Sequence, residues 1–352
     1  MESNGLKNDQ IDGRSSEPNM VQGKENKEMA FQKVETSIAQ GLRTTELQAD
    51  YDACCKRLLS EKVILANLLK GIAEEYKECS VENIENRYIE GKPAVSKVPT
   101  NSDKTPPLIT GIDTVHKYED HEGVLYDILL KSHVPDSKNQ IDLIINVEGQ
   151  KNPESHRRLM ARTVYYVSEN IVAQKGRVFT GIHYENIQKV YSIWICKNQA
   201  QYRANTINHI YPTCYTQYGN CPEKSSDYDL FDIVLIYLGD EEPPEEAPEI
   251  IRLLCVLLSN EISAAKKGKI LEKKFNIPMT QSIEKEINTM CNLGEALAQE
   301  KARSVYLNVL NSICAKSNYS VEQAMELAGI PENERPEYLE LLRNQSESEE
   351  KK

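Results

Sequence analysis

Two segments decide the fold: VLYDILLK (residues 124–131) and, after a short interruption, QIDLIINVE (residues 140–148). Both are dense in Ile, Leu and Val and carry isolated polar residues, as half-buried strands do. The stretch from Val134 to Asn139 holds Pro, Asp, Ser and Asn, which favour turns. The pair therefore reads as a β-hairpin whose turn centres near Ser137 and Lys138. On that centre, residues on opposite arms whose numbers add to about 275 face each other. Asp127 is then expected directly across from Glu148. Gln150 shares the face of Glu148 if the strand runs that far. Three polar groups would converge on an otherwise apolar sheet.

Burying two like charges together is unfavourable unless a proton or cation compensates. Mg²⁺ fits such a site, because it prefers one or two carboxylates with waters and phosphate oxygens, and Mn²⁺ can substitute. It would polarise a phosphodiester and lower the pKa of a bound water. The simpler alternative leaves one carboxylate in solvent and pairs the other with a lysine. The dipeptide Pro135-Asp136 belongs to the turn. His121, His133 and His156 lack metal-ligand spacing and read as structural or surface residues.

Outward from the hairpin, residues 154–174 read as a helix with Leu159, Val164, Val167 and Ile171 on one side. KVYSIWIC (189–196) and FDIVLIYL (231–238) read as strands, the first buried, with Trp194 in the core. Upstream, apolar residues recur at helical spacing from Leu47 to Tyr76, as one long helix or two short ones. Ser80 is placed to cap a short helix from Val81 to Ile89. Leu108 to Ile112 is a further short strand. The order predicts an α/β domain with a mixed sheet flanked by helices.

The organisation expected is a disordered polar leader (1–43), the α/β domain (44–240), an acidic Pro-rich connector (241–248), a helical C-terminal region (249–345) and a charged tail (346–352). Within the C-terminal region, helices are expected over about 249–273, 280–315, 320–329 and 335–344. Ser320 and Gln323 form a capping-box pattern.

The net charge of −12 excludes a whole-chain basic field but leaves room for a local basic patch. No apolar run approaches the ~20 residues that span a bilayer. The N-terminus opens no secretory signal, so a cytoplasmic chain is expected. Nine cysteines without a CxxC pair argue for reduced thiols and against a structural zinc site.

Taken together, ILANLLKGIAEEYKE, GIDTVHKYEDHEGVLYDILL, IDLIINVEGQK, ARTVYYVSENI, KVYSIWICKN and INTMCNLGEAL resemble the PD-(D/E)XK nuclease-family transposases, relatives of the recombination-promoting nucleases of bacteria. The likeness runs from about Val63 to Leu342. It implies a restriction-endonuclease-like core and a metal-dependent DNA endonuclease, associated with recombination or transposition. It also implies the catalytic set Asp127, Glu148 and Gln150, with Gln150 in place of the commoner lysine. Glutamine orients water but supplies no charge. The superfamily's extra helix acid falls on Glu75, for which a solvated glutamate is an equal alternative. Asp113 either caps a loop or lies near the site.

On the helix after the hairpin, Arg158, Arg162 and Tyr166 are four residues apart and share a face, where they would contact DNA phosphates. Packing of the tyrosines, with arginines paired to acids such as Glu154 or Glu169, is the alternative. A catalytically inactive DNA-binding or scaffolding relative is the competing function. RNA is a third substrate class, which would use exposed aromatics among the 18 tyrosines. The C-terminal helices have the amphipathic character of an oligomerisation surface or of a bundle packed on the core.

Overall fold

The computed structural model describes residues 37–95, 115–118, 121–125, 127–135, 140–148, 153–197, 201–239, 242–317 and 319–349. The expected strand at 108–112, Asp113 and the leader up to residue 36 lie outside them. Helix α1 (Ser37–Leu59) begins inside the expected leader. It is followed by α2 (Lys62–Ile72), so the N-terminal helical stretch is two helices. The Ser60 hydroxyl donates to the Arg57 carbonyl at 2.7 Å, and Glu61 is extended, which ends the first and starts the second. Ser80 caps the short α3 (Val81–Asn83) through the Asn83 N–H, and a π-turn continues it to Tyr88.

The strands are β1 (Ala94–Val95), β2 (Val115–Tyr118), β3 (His121–Leu125), β4 (Ile128–His133), β5 (Gln140–Glu148), β6 (Lys189–Cys196), β7 (Thr206–Ile210) and β8 (Phe231–Tyr237). Six form one mixed sheet in the order β1-β4-β5-β6-β8-β7, and β2 and β3 pair separately. β5, β6 and β8 are mutually parallel, while β1, β4 and β7 run antiparallel to their neighbours. The remaining helices are α4 (Pro153–Ala173), α5 (Ser225–Tyr228), α6 (Glu249–Leu258), α7 (Ala264–Phe275), α8 (Gln281–Lys316), α9 (Val321–Leu327) and α10 (Arg335–Glu349).

The hairpin exists, but its register corrects the expected one. Ile128 pairs with Ile145 and His133 with Gln140, two residues short of the expected pairing. Continued to Asp127, this register reaches Asn146, and Glu148 lies two residues further along β5. A shift of two moves no side chain to the opposite face, so the apolar alternation is satisfied by either pairing. The expected strand 124–131 is also split: β3 ends at Leu125, and Asp127 sits in a bend ahead of β4.

Each sheet face has its own cover. Ile128, Leu130, Ile141, Tyr191, Ile193, Ile195, Val234 and Ile236 share one core with residues of α1, α2, α6, α7 and α8. Leu129, Val190, Trp194, Cys196, Leu235 and Tyr237 pack against Leu159 and Val167 of α4. The alternation along β6 and β8 produces the two layers. Gly71 lets α2 meet α6, for an added Cβ would lie 2.8 Å from the Ile250 Cβ.

The expected helix 249–273 is instead α6 and α7, separated by residues 259–263. Ile251, Leu254 and Leu257 of α6 and Ile283, Ile287 and Met290 of α8 belong to the main core, so the helical C-terminal region packs on the sheet domain. The end of α8, with α9 and α10, encloses a separate cluster around Leu310, Met325, Ile330 and Tyr338. The Ser320–Gln323 capping box is present. Among the described residues, no helix is long and apolar enough to cross a membrane. All nine cysteines are free thiols.

Candidate functional site

The parallel strands end together: the register aligns Glu148 with Cys196 and Cys196 with Tyr237. Asp127, just ahead of the antiparallel β4, lies at this same end of the sheet. Its carboxylate is 2.7 Å from the Lys56 ammonium, and the two side chains are only 18% and 11% exposed. Lys56 stands one helical turn after Asp52 on α1, on the same face. Asp52 accepts a hydrogen bond from the Gln48 amide at 2.9 Å.

Burial pushes the Asp52 carboxyl above its ordinary value, and the nearby Asp127 charge adds to the effect. Gln48, Lys56 and Lys197 act in the opposite direction. Two carboxylates on different elements thus share one lysine. Lys197, the residue after β6, donates to the Tyr51 hydroxyl at 3.0 Å and lies 4.7 Å from the centre of that ring. Tyr51 in turn donates to Asn260 Oδ1 at 2.7 Å. Gly294 of α8 makes room here, since a Cβ would stand 3.1 Å from that oxygen.

The raised Asp52 carboxyl has a consequence for stability. The folded protein holds this proton more tightly than the unfolded chain does. Protonation therefore favours the fold, and stability is lost as pH rises from 3.8 through the folded value. Asp52→Asn is expected to raise Tm at pH 7 by on the order of 2 °C, with the gain vanishing near pH 3. Thermal melts of both proteins at the two pH values check it; a lower Tm for the variant at pH 7 would contradict it.

Glu75 is not part of this site. It lies in a 3₁₀ turn after α2 and accepts from the Tyr191 hydroxyl at 2.5 Å. Lys189 bridges Glu75 at 3.5 Å and Asp229 at 2.7 Å. Tyr191 and Lys189 begin β6, whereas Glu148 aligns with the last residue, Cys196. Five residues of strand separate Tyr191 from Cys196, roughly 16 Å. The acid that a helix brings beside Asp127 is Asp52.

Glu148 is the final residue of β5; its side chain, and Gln150 entirely, lie outside the described residues. Arg162 and Tyr166 converge on Trp194, with the guanidinium 5.1 Å and the phenol ring 5.4 Å from the indole. Arg158 is exposed one turn earlier. Trp194 is core, as expected, and its indole N–H donates to the Ser192 hydroxyl at 2.9 Å. Tyr202, Tyr211, Tyr215 and Tyr218 are exposed on the segments flanking β7. His133 contacts Glu90.

Among the described residues, no three His, Cys, Asp or Glu side chains are grouped to hold a metal. Asp52 and Lys56 carry a sequence signal only as a helical i,i+4 pair, which says nothing of the distant Asp127 they meet. No family model, curated protein or solved structure matches this chain.

Proposed function

We propose that the chain is a divalent-metal DNA endonuclease of the PD-(D/E)XK type, with a restriction-endonuclease-like core built on β4, β5, α4 and β6. The observation that carries this reading is the position of Asp127. It lies beside Lys56 at the end of the sheet where β5 finishes in Glu148. Crevices outside the carboxyl ends of parallel strands are the usual ligand sites of open α/β sheets.

The donor chemistry, carboxylate oxygens, fits a hard cation. Burial first and the Asp127 charge in part raise the Asp52 carboxyl, and Glu148 ends the strand beside β4. Asp127 and Glu148 would hold Mg²⁺ or Mn²⁺, and the bound ion would supply Lewis acidity and a lowered water pKa. Gln150 orients the attacking water. Lys56 supplies positive charge beside Asp127, which the neutral Gln150 does not, and it stabilises charge developing on the phosphate. Asp52 fixes Lys56 from the preceding turn. Arg158 and Arg162 engage neighbouring phosphates of the DNA. A role in recombination or transposition rests on the sequence resemblance alone.

One observation favours a second reading, a DNA-binding relative without catalysis: the Asp127 carboxylate already has the Lys56 ammonium as its counter-ion. Supercoiled plasmid at low salt separates the two. The nuclease nicks it in Mg²⁺ or Mn²⁺ and stops in EDTA. A binder shifts the plasmid in a gel and leaves it intact under every condition.

A further inference from the structure

Adjoining the site is a cleft of about 530 Å³ that the nuclease reading does not use. That volume falls within the roughly 300–1,000 Å³ of small-molecule sites. Its floor is the carboxyl end of the parallel sheet, at Lys197 after β6 and Leu238 and Gly239 after β8. One wall is the face of α6 bearing Arg252, Cys255, Val256 and Ser259. The other is the face of α7 bearing Lys266, Ile270 and Lys274, each four residues from the next.

The cleft is electrostatically unlike the chain around it. Lys197, Arg252, Lys266 and Lys274 line it against two carboxylates, Glu242 and Glu261, in a protein of net charge −12. Lys197 is engaged by Tyr51. Arg252 Nε is buried and has no hydrogen-bond partner among the described residues. That nitrogen is closed to solvent, but Arg252 as a whole is half-buried and lines the cleft. Between the cations, Leu238, Val256, Ile270 and Phe275 present apolar surface.

We propose that this cleft binds a phosphate monoester carried on a flat apolar body, a ligand of mononucleotide size. Arg252, Lys266 and Lys274 take the phosphate. The apolar side chains cover the ring, and Glu242 and Glu261 accept from sugar hydroxyls. The assignment does not depend on nuclease activity, because none of these three cations belongs to the Asp127 cluster.

The test is calorimetric titration of the full chain with adenosine 5′-monophosphate, inorganic phosphate and adenosine. The monophosphate is expected to bind at least tenfold more tightly than phosphate, and adenosine not measurably. Lys266→Gln with Lys274→Gln, both on the exposed face of α7, is expected to weaken the monophosphate at least tenfold. Arg252→Gln should do the same, and Asp127→Ala should change nothing. Adenosine matching the monophosphate, phosphate matching it, or no binding of the monophosphate would each overturn the proposal. So would full affinity in the α7 double variant, or loss of binding in Asp127→Ala, which would move the ligand to the Asp127 cluster.

Discussion

Trp194→Ala is expected to lower the unfolding free energy by about 3–5 kcal/mol. The indole is 1% exposed and centres the cluster between α4 and the sheet, with Leu129, Leu159, Val167 and Leu235 around it. Its removal strips the packing partner from Tyr166 and the ring under Arg162. It also leaves the buried Ser192 hydroxyl without the indole donor. The strand beneath it is held on both sides by β5 and β8, so its backbone cannot move in to close the space. Urea unfolding checks the value through the midpoint at constant slope. Trp194→Phe keeps most of the apolar volume and loses the N–H, so its loss should be nearer 1–2 kcal/mol. A loss below 1 kcal/mol for the alanine variant would mean that α4 does not cover this face.

Asp127→Ala is expected to lower metal-dependent nicking by roughly a thousandfold, since a metal-holding carboxylate contributes several kcal/mol to the transition state. The same substitution leaves the nearly buried Lys56 with Asp52 alone to balance its charge, which destabilises the fold by about 1–3 kcal/mol. The two effects separate in a second variant. Adding Lys56→Met removes that charge and leaves Asp52, which burial already inclines to its protonated form, so the double variant is expected to recover part of the lost stability and none of the activity. Single-turnover nicking beside urea unfolding reads both. Recovery of nicking in the double variant would show that Asp127 serves only to neutralise Lys56.

The legible parts of the fold were those whose signal is local. KVYSIWIC and FDIVLIYL are continuous apolar runs that only a doubly covered strand needs, and both became central parallel strands. The Ser320–Gln323 box is a four-residue motif and formed as written. β7 was missed because Thr206-Ile-Asn-His-Ile is short and half polar, as an edge strand is when one side lacks a partner. Residues 259–263 interrupt the expected C-terminal helix without Pro or Gly to announce it.

The candidate site divides along the same line. Asp127 stands out in its own strand pattern, but the register around it does not, because pairings two residues apart bury the same faces. Glu75 and Asp52 are both helix acids with equal local credentials. Which of them reaches Asp127 depends on which end of the sheet each helix abuts, a long-range fact that periodicity does not carry. Lys56 and Lys197 were invisible for the same reason.

The most direct measurement is plasmid nicking in Mg²⁺ by the wild type, Glu148→Ala and Glu75→Gln side by side. A nuclease centred at the carboxyl ends of the parallel strands predicts cleavage by the wild type and by Glu75→Gln, stopped by EDTA, and none by Glu148→Ala. Full cleavage by Glu148→Ala, or an inert wild type that still binds DNA, would contradict it.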